Sequence, residues 1–450
     1  MNGTVEYVMA FDLGSAHITA ALGLKQADGK LRILALERRP VCTEIRHGVV
    51  HNIEAVSAIL RELRDTLSLT LTPALEVNHV FTGINGYTIR TKDVRIDAPF
   101  DGTEIFNEQL LDELGNQIPE SLPEGFVPIN IYPQEFLVDG RVDRNPVGSM
   151  PKHVEAHYKV VGGSADVLRK AEAAFSNIHL TSCANLGPVA AAEAVLTEEE
   201  KNRGVVCVDL GAETTSVSVW KGDLLRSVTI LPFGGNSVTA DLQQLNLDEE
   251  EAERLKIGQG TALHYSELEE PEGSPFSREY QEINDIIVAR LEEIVENIWA
   301  QINRSGIEPA KLLSGVVLTG GGSRMRDLDK LVARKTAMSV RIGQPTVHLE
   351  PGGIGLFGYP ENAQCIGLLL QGDGGCFQKE PEPVSVVKEE EKAPSPIDLT
   401  LEGFPPEQPK PAAVKPVKPV KVKPPRVKKP NRLKGFINDL TDFLNNDNDD

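Results

Sequence analysis

VMAFDLGSAHITAAL, residues 8–22, and VVCVDLGAETTSVSV, residues 205–219, are two versions of one pattern. In each, an apolar β-rich run ends in Asp-Leu-Gly, with the acid at Asp12 or Asp209, and small residues lead into a second β-rich run. Run, turn and run read as a β-hairpin, and its recurrence predicts a duplicated fold with a cleft between the halves. A turn of small residues exposes consecutive backbone N–H groups that can bond phosphate oxygens, where a larger side chain would block the approach. The preceding acid cannot itself meet a phosphate, because like charges repel. Asp12 and Asp209 make sense as partners, through water, of a divalent cation that neutralises the phosphates. A plain turn is the other reading of one Asp-Leu-Gly, and the second copy weighs against it.

A third element lies further on. In VVLTGGGSRMRDLDKL, residues 316–331, a β-rich run from Val316 to Thr319 gives way to Gly320, Gly321, Gly322 and Ser323 and then to an amphipathic helical pattern. Glycines at such a turn let a planar base or sugar lie against the backbone, with the helix amino end supplying donors. Elsewhere, period-2 runs alternate with helical patterns, as in residues 7–24, 52–67 and 204–220. That alternation indicates an α/β fold with parallel or mixed sheets.

Composition narrows the class. The chain has 450 residues, 40% apolar and 25% charged, with a net charge of −20 that weighs against polyanionic partners, although the tail carries the opposite sign and counts separately; nucleic acid is not expected as a partner. No apolar run approaches the ~20 residues that span a bilayer. Residues 1–9 carry no basic residue before the first apolar run, so a cleaved secretory signal is not expected and a cytoplasmic location is. Five scattered cysteines, Cys42, Cys183, Cys207, Cys365 and Cys376, without C-x-x-C spacing, read as reduced core thiols rather than a zinc site or disulfides.

The two hairpins and the glycine run, in this order, resemble the actin, heat-shock chaperone and sugar-kinase superfamily, and within it the FtsA family of bacterial cell division. The resemblance covers about residues 5–372 and extends to LPFGGNSVTADL (231–242), EAERLKIGQG (251–260), VRIGQP (340–345) and CIGLLL (365–370). It implies a duplicated actin-like, ribonuclease H-like fold with an interdomain nucleotide cleft. It also implies ATP and Mg²⁺ as cofactors, with Asp12 and Asp209 on the metal through water. The nucleotide residues carried over are Gly14, Ser15, Ala16 and His17; Gly211, Ala212, Thr214 and Gly235; Glu253 and Lys256 beside ribose and base; and Gly320, Gly321, Gly322, Ser323 and Met325. An ordinary i, i+3 ion pair is the other reading of Glu253 and Lys256.

Three departures bear on chemistry. Ala212 and Glu213 stand where relatives have glycines, His17 stands where many have Lys, and Gly187 stands where a Glu is frequent. An acid at 213 is unfavourable beside a triphosphate unless it points away, and a neutral His, with a reference pKa of ~6.5, donates one hydrogen bond at most. No catalytic residue is assigned, and ATP turnover is expected to be slow or undetectable, a weak ATPase at most.

Residues 87–161 read as a small α+β unit inserted into the first half, which by the resemblance serves contacts with neighbours and other division proteins. The expected domains are 1–86 with 162–204, the insertion 87–161, the second half 205–372 with a smaller subdomain at 236–311, a linker 373–431 and a terminal helix 432–445. The linker is Pro-rich and charge-blocked: residues 373–409 hold nine acids and three bases, and 410–434 ten bases and no acid. After it, Leu433, Phe436, Ile437, Leu440, Phe443 and Leu444 fall on one arc of roughly 120° at ~100° per residue. A helix about 20 Å long lies in a membrane surface and cannot cross it, and adjacent Lys and Arg gain up to ~1 kcal/mol each at an anionic leaflet. Docking on a protein is the alternative for that helix.

The resemblance therefore implies an ATP-binding protein that self-associates into filaments, tethers filaments of the tubulin-like protein FtsZ to the cytoplasmic face of the plasma membrane at the division septum, and recruits later division proteins. A pilus-assembly actin homologue is the nearest alternative. A sugar kinase is less favoured, since no segment supplies its carboxylate base.

Overall fold

The computed structural model describes residues 6–26, 29–71, 76–268, 277–346, 348–350, 357–372 and 376–377. The predicted terminal helix lies outside them, as does the predicted linker except for Cys376 and Phe377.

The first hairpin is β1 (Glu6–Leu13) and β2 (His17–Lys25), antiparallel, with Asp12 opposite Thr19. It sits in a sheet of order β11 (Thr181–Leu186), β6 (His79–Ile84), β1, β2 and β3 (Leu31–Pro40). The second hairpin, β12 (Val205–Leu210) and β13 (Thr215–Lys221), sits in the same order within β16 (Val340–Ile342), β15 (Val316–Thr319), β12, β13 and β14 (Leu224–Leu231). Directions agree strand for strand: each hairpin is antiparallel, and the two strands outside its first member run parallel to it. Asp12 has Thr19 and Gly83 as cross-strand partners, and Asp209 has Ser216 and Thr319. The duplication read from two short motifs thus extends over five strands in each half.

The region between β6 and β11 does not stay with the first sheet. Its strands β7 (Arg90–Pro99), β10 (His153–Ser164), β8 (Phe126–Val138) and β9 (Arg141–Asp143) continue the second sheet beyond β14, joined through Thr229 and Arg90. The unit keeps its own apolar cluster, in which Phe106, Leu114, Ile118, Phe136 and Tyr158 are buried. Arg226 on β14 holds it further with a two-pronged pair to Glu135 on β8, at 2.6 and 2.8 Å. The short hairpin β4 (Ile45–Arg46) and β5 (Val49–Val50) stands apart from both sheets.

Helices cover the sheets as their periodicity requires. In α1 (Ile53–Ser68) the Asn52 side chain accepts the Ala55 N–H at 3.0 Å, and Val56, Leu60, Leu63 and Leu67 are buried. Truncating Leu60 to Ala should cost ~2–5 kcal/mol. The remaining helices are α2 (Glu108–Asn116), α3 (Ala165–Ser176), α4 (Gly187–Val195), α5 (Glu198–Arg203), α6 (Gly235–Leu242), α7 (Glu249–Gln259), α8 (Arg278–Arg304), α9 (Leu328–Thr336) and α10 (Ala363–Gln371). Helix α10 returns from the second half to lie on α4 and β1 of the first. The fit is tight because Gly367 lacks a Cβ, which would stand 1.7 Å from the Ala190 carbonyl oxygen. Among the described residues no helix is long and apolar enough to cross a membrane.

Two expectations need correction. Only Cys207, Cys365 and Cys376 are core thiols; Cys42 and Cys183 are exposed, because one lies in the turn after β3 and the other on the edge strand β11. The packed body also continues past residue 372. Cys376 is buried, its N–H bonds the Tyr7 carbonyl at 3.0 Å, and Phe377 packs edge-on against the Tyr7 ring.

Candidate functional site

The two Asp-Leu-Gly turns and the glycine run open onto one cavity of about 610 Å³. Its wall includes Asp12, Gly14, Ser15, Ala16 and His17 from the first hairpin, and Asp209, Gly211, Ala212 and Thr214 from the second. Gly235, Glu253 and Lys256 line it from α6 and α7, and Gly320, Gly321, Gly322 and Met325 from the turn after β15. The volume suits a nucleotide-sized ligand. Ser323 does not line it: its side chain is buried and its hydroxyl donates to the Gly320 carbonyl at 2.7 Å, closing the turn.

The turn after β15 is built around one conformational demand. Gly320 has φ +79°, and a Cβ there would fall 2.2 Å from Asp209 Oδ1 and 2.5 Å from the Leu210 carbonyl oxygen. Residues Gly321–Arg324 then wind as a 3₁₀ turn, and α9 begins only at Leu328 behind an Asp327 N-cap whose side chain makes no cap bond. The donors expected from that helix's amino end are therefore displaced; the glycine backbone itself faces the cavity. The second hairpin is fastened in turn to α6. Gly235 and Asn236 donate their N–H groups to the carbonyls of Gly211 and Ala212, at 3.0 and 2.8 Å, so these helix-end donors serve the turn.

Glu253 and Lys256 form the i, i+3 pair at 2.6 Å and also face the cavity. Lys256 Nζ further donates to Thr239 Oγ1 at 2.9 Å and to the Gly235 carbonyl at 3.2 Å, which fixes α7 against α6. The ion-pair reading of that helix holds, with Lys256 buried in the network.

Burial pushes the Asp12 carboxyl up to about 7, with the charge of Asp209 adding to it and Arg38 and Gln364 opposing. Burial alone pushes Asp209 up to about 6. Two desolvated carboxylates facing one cavity suit a divalent cation. Among the described residues no three His, Cys, Asp or Glu side chains cluster as a closed metal site, so water and ligand oxygens would have to complete the shell. His17 is held below the usual histidine range by partial desolvation and then by the Arg38 charge, hence neutral at pH 7.

Sequence reasoning missed four contributors. Gln364 at the start of α10 donates through Nε2 to Asp12 Oδ1 at 2.5 Å, across 352 residues of chain. Asn85 follows β6; Arg38 comes from β3; Glu361 precedes α10. Only Gln364 had a signal, its place immediately before the CIGLLL run. Position 187 also becomes intelligible: a Cβ on Gly187 would lie 1.9 Å from Asn85 Oδ1 and 2.7 Å from Gln364 Oε1, so two amides fill the space a side chain there would need. Glu213 does point away. Its carboxylate accepts the His47 backbone N–H at 2.8 Å, from the β4–β5 turn of the first half, and it is not among the lining residues.

Comparisons with known proteins find relatives in sequence and in fold. The family model described as Cell division protein FtsA matches residues 206–367. The Cell division protein FtsA of Neisseria meningitidis serogroup B is 28% identical over 376 residues, covering 81% of this chain and 89% of that protein. The one from Bacillus subtilis is 28% identical over 362 residues, covering 77% and 80%. Among solved structures, a chain of the PilM-PilN type IV pilus biogenesis complex superposes with a TM-score of 0.56 at 19% identity, over 81% of this chain and 97% of that one, a likeness of fold.

Proposed function

We propose that this chain, a relative of the FtsA family of cell-division proteins, is an actin-like ATP-binding membrane adaptor that self-associates and anchors FtsZ filaments at the cytoplasmic face of the division septum. The observation that carries the nucleotide part is the convergence of both Asp-Leu-Gly turns, the Gly320–Gly322 turn and the Glu253–Lys256 pair on one cavity. Asp12 and Asp209 would hold Mg²⁺ through water, and the ion when bound would neutralise phosphate charge. The chain's own residues do the rest. The turn backbones receive the phosphates, Glu253 and Lys256 flank the sugar, and Gln364 orients Asp12.

The site spans both halves, so nucleotide stabilises the closed arrangement more than an open one, and assembly follows closure. The amides of Asn85 and Gln364, and not a carboxylate borne by residue 187, occupy the space beside Gly187, which supports slow or absent hydrolysis. The membrane part rests on the sequence of residues 410–445, a basic block followed by an amphipathic stretch. Self-association presents several such helices together and raises avidity. The inserted unit of residues 87–161 serves contacts with neighbouring copies and later division proteins.

Co-sedimentation with anionic liposomes tests the reading. The full chain should pellet and a chain ending at Pro430 should not, with ATP strengthening the binding. If neither chain pellets with any nucleotide, the terminal segment docks on protein and the adaptor reading fails.

A further inference from the structure

Within the reading of the cavity as a nucleotide site, on which this inference rests, we propose that Arg38 is the cation that binds the phosphate end of the nucleotide. Asp12 is the direct cross-strand partner of Thr19, and Thr19 of Arg38, so the three form one row over β1, β2 and β3. Residues in such a row project from the same face of a sheet, about 5 Å apart per strand. All three line the cavity, and His17, two residues before Thr19, shares their face. Among the described lining residues of the first half, Arg38 is the one permanent cation. Its charge reaches both Asp12 and His17.

The guanidinium is anchored yet unfinished. One terminal nitrogen donates to Asn362 Oδ1. The other stands 3.9 Å from Glu361 Oε1, an oxygen that Arg324 already takes at 2.7 Å. Arg38 Nε is shielded from solvent and lacks a hydrogen-bond partner, so the face offered to the cavity belongs to the terminal nitrogens of a side chain that is 32% exposed. A partly exposed guanidinium with a terminal nitrogen only loosely paired, beside a turn of backbone amides, is suited to an anionic oxygen, and a planar fork matches phosphate better than an ammonium does. The competing role is mechanical: through Asn362 and Glu361, Arg38 would merely tie the segment before α10 to the first sheet.

Binding of ATP and of adenosine to the full chain, each with Mg²⁺, by calorimetry separates the two. Arg38→Gln should weaken ATP by about tenfold or more, the loss of a charge-assisted contact, while adenosine binding changes less than about twofold. Adding His17→Lys to Arg38→Gln should recover most of the ATP affinity, since position 17 shares the face. Equal ATP binding by wild type and Arg38→Gln overturns the assignment, as does a parallel loss of ATP and adenosine, which marks a mechanical tie. If Arg38→Gln does not fold, Arg38→Lys replaces it, with ATP affinity expected to fall and adenosine affinity to hold; a parallel change again overturns the assignment. Wild-type protein that binds neither ligand removes the nucleotide reading itself, a result distinct from all of these.

Discussion

Glu213 is the clearest place to perturb the cleft without touching its lining. Its carboxylate reaches from the second hairpin to the backbone N–H of His47 at 2.8 Å, and its own carbonyl lies 3.2 Å from His47 Nδ1. His47 has φ 47°, an unfavourable region for a residue with a Cβ, so its turn needs support. The following Gly48 N–H reaches Ser15 Oγ at 3.2 Å, which makes the β4–β5 turn a bridge between the two phosphate-type hairpins. A hydrogen bond to a charged acceptor is worth ~1.5–3 kcal/mol, and partial exposure of this one brings the expectation to ~1–2 kcal/mol. Glu213→Ala should therefore raise the population of locally open cleft by roughly 5- to 30-fold at ~1.4 kcal/mol per tenfold. Hydrogen exchange read at single-residue resolution is the direct assay. The amides of His47 and Gly48 should exchange faster by that factor, while those of β7 to β10 keep wild-type rates, because the inserted unit has its own core. Unchanged exchange at 47 and 48 would show that the two halves are held by other contacts and would refute the reasoning.

Two further outcomes follow from charge and volume. Arg226, through paired hydrogen bonds, holds the Glu135 carboxyl below its ordinary range, so the bridge between the inserted unit and β14 adds stability above the ordinary glutamate pKa and loses it as pH falls through the depressed folded value. Glu135→Gln should cost about 1 kcal/mol at pH 7, and the gap in melting temperature to wild type should close on acidification below pH ~4; a gap that persists there would contradict the linkage. Gly187→Glu places a side chain against Asn85 and Gln364 and should destabilise by ~2 kcal/mol or more in a chemical-denaturation series. Pairing it with Asn85→Gly should recover part of the loss, and additive costs would mean the two positions do not compete for space.

The duplicated sheet was legible because each hairpin carries its whole signal within fifteen residues: alternating apolar positions, one acid, then small residues. The pairing of β14 with β7 was not legible. It depends on a single cross-strand position, Thr229 with Arg90, between segments read as parts of different halves. Exposure of Cys183 was hidden for a similar reason. Its strand reads as buried until the strand order shows β11 to be an edge. Glycines and acids in local motifs could be assigned to the cavity from sequence, whereas Arg38 and Asn85 sit in stretches with no motif and Gln364 only borders one. They arrive there by strand order and by the return of α10.

That return also makes the two halves unequal in a way their shared ladder conceals. Asp12 and Asp209 hold equivalent positions, each between a hydroxyl residue on the hairpin's second strand and a parallel neighbour. Around Asp12, Gly83 leaves room for the Gln364 side chain, since a Cβ there would lie within contact distance of its amide, and Arg38 stands in the same row. Around Asp209, Thr319 turns its hydroxyl to the Gly343 and Pro360 carbonyls, at 3.3 and 3.1 Å, and Gly320 brings backbone against the carboxylate instead. One acid is thus bordered by side-chain donors, the other by backbone. Side chains can change rotamer where the Gly320 backbone cannot, so rearrangement on ligand binding should concentrate at Arg38, Gln364 and the first hairpin.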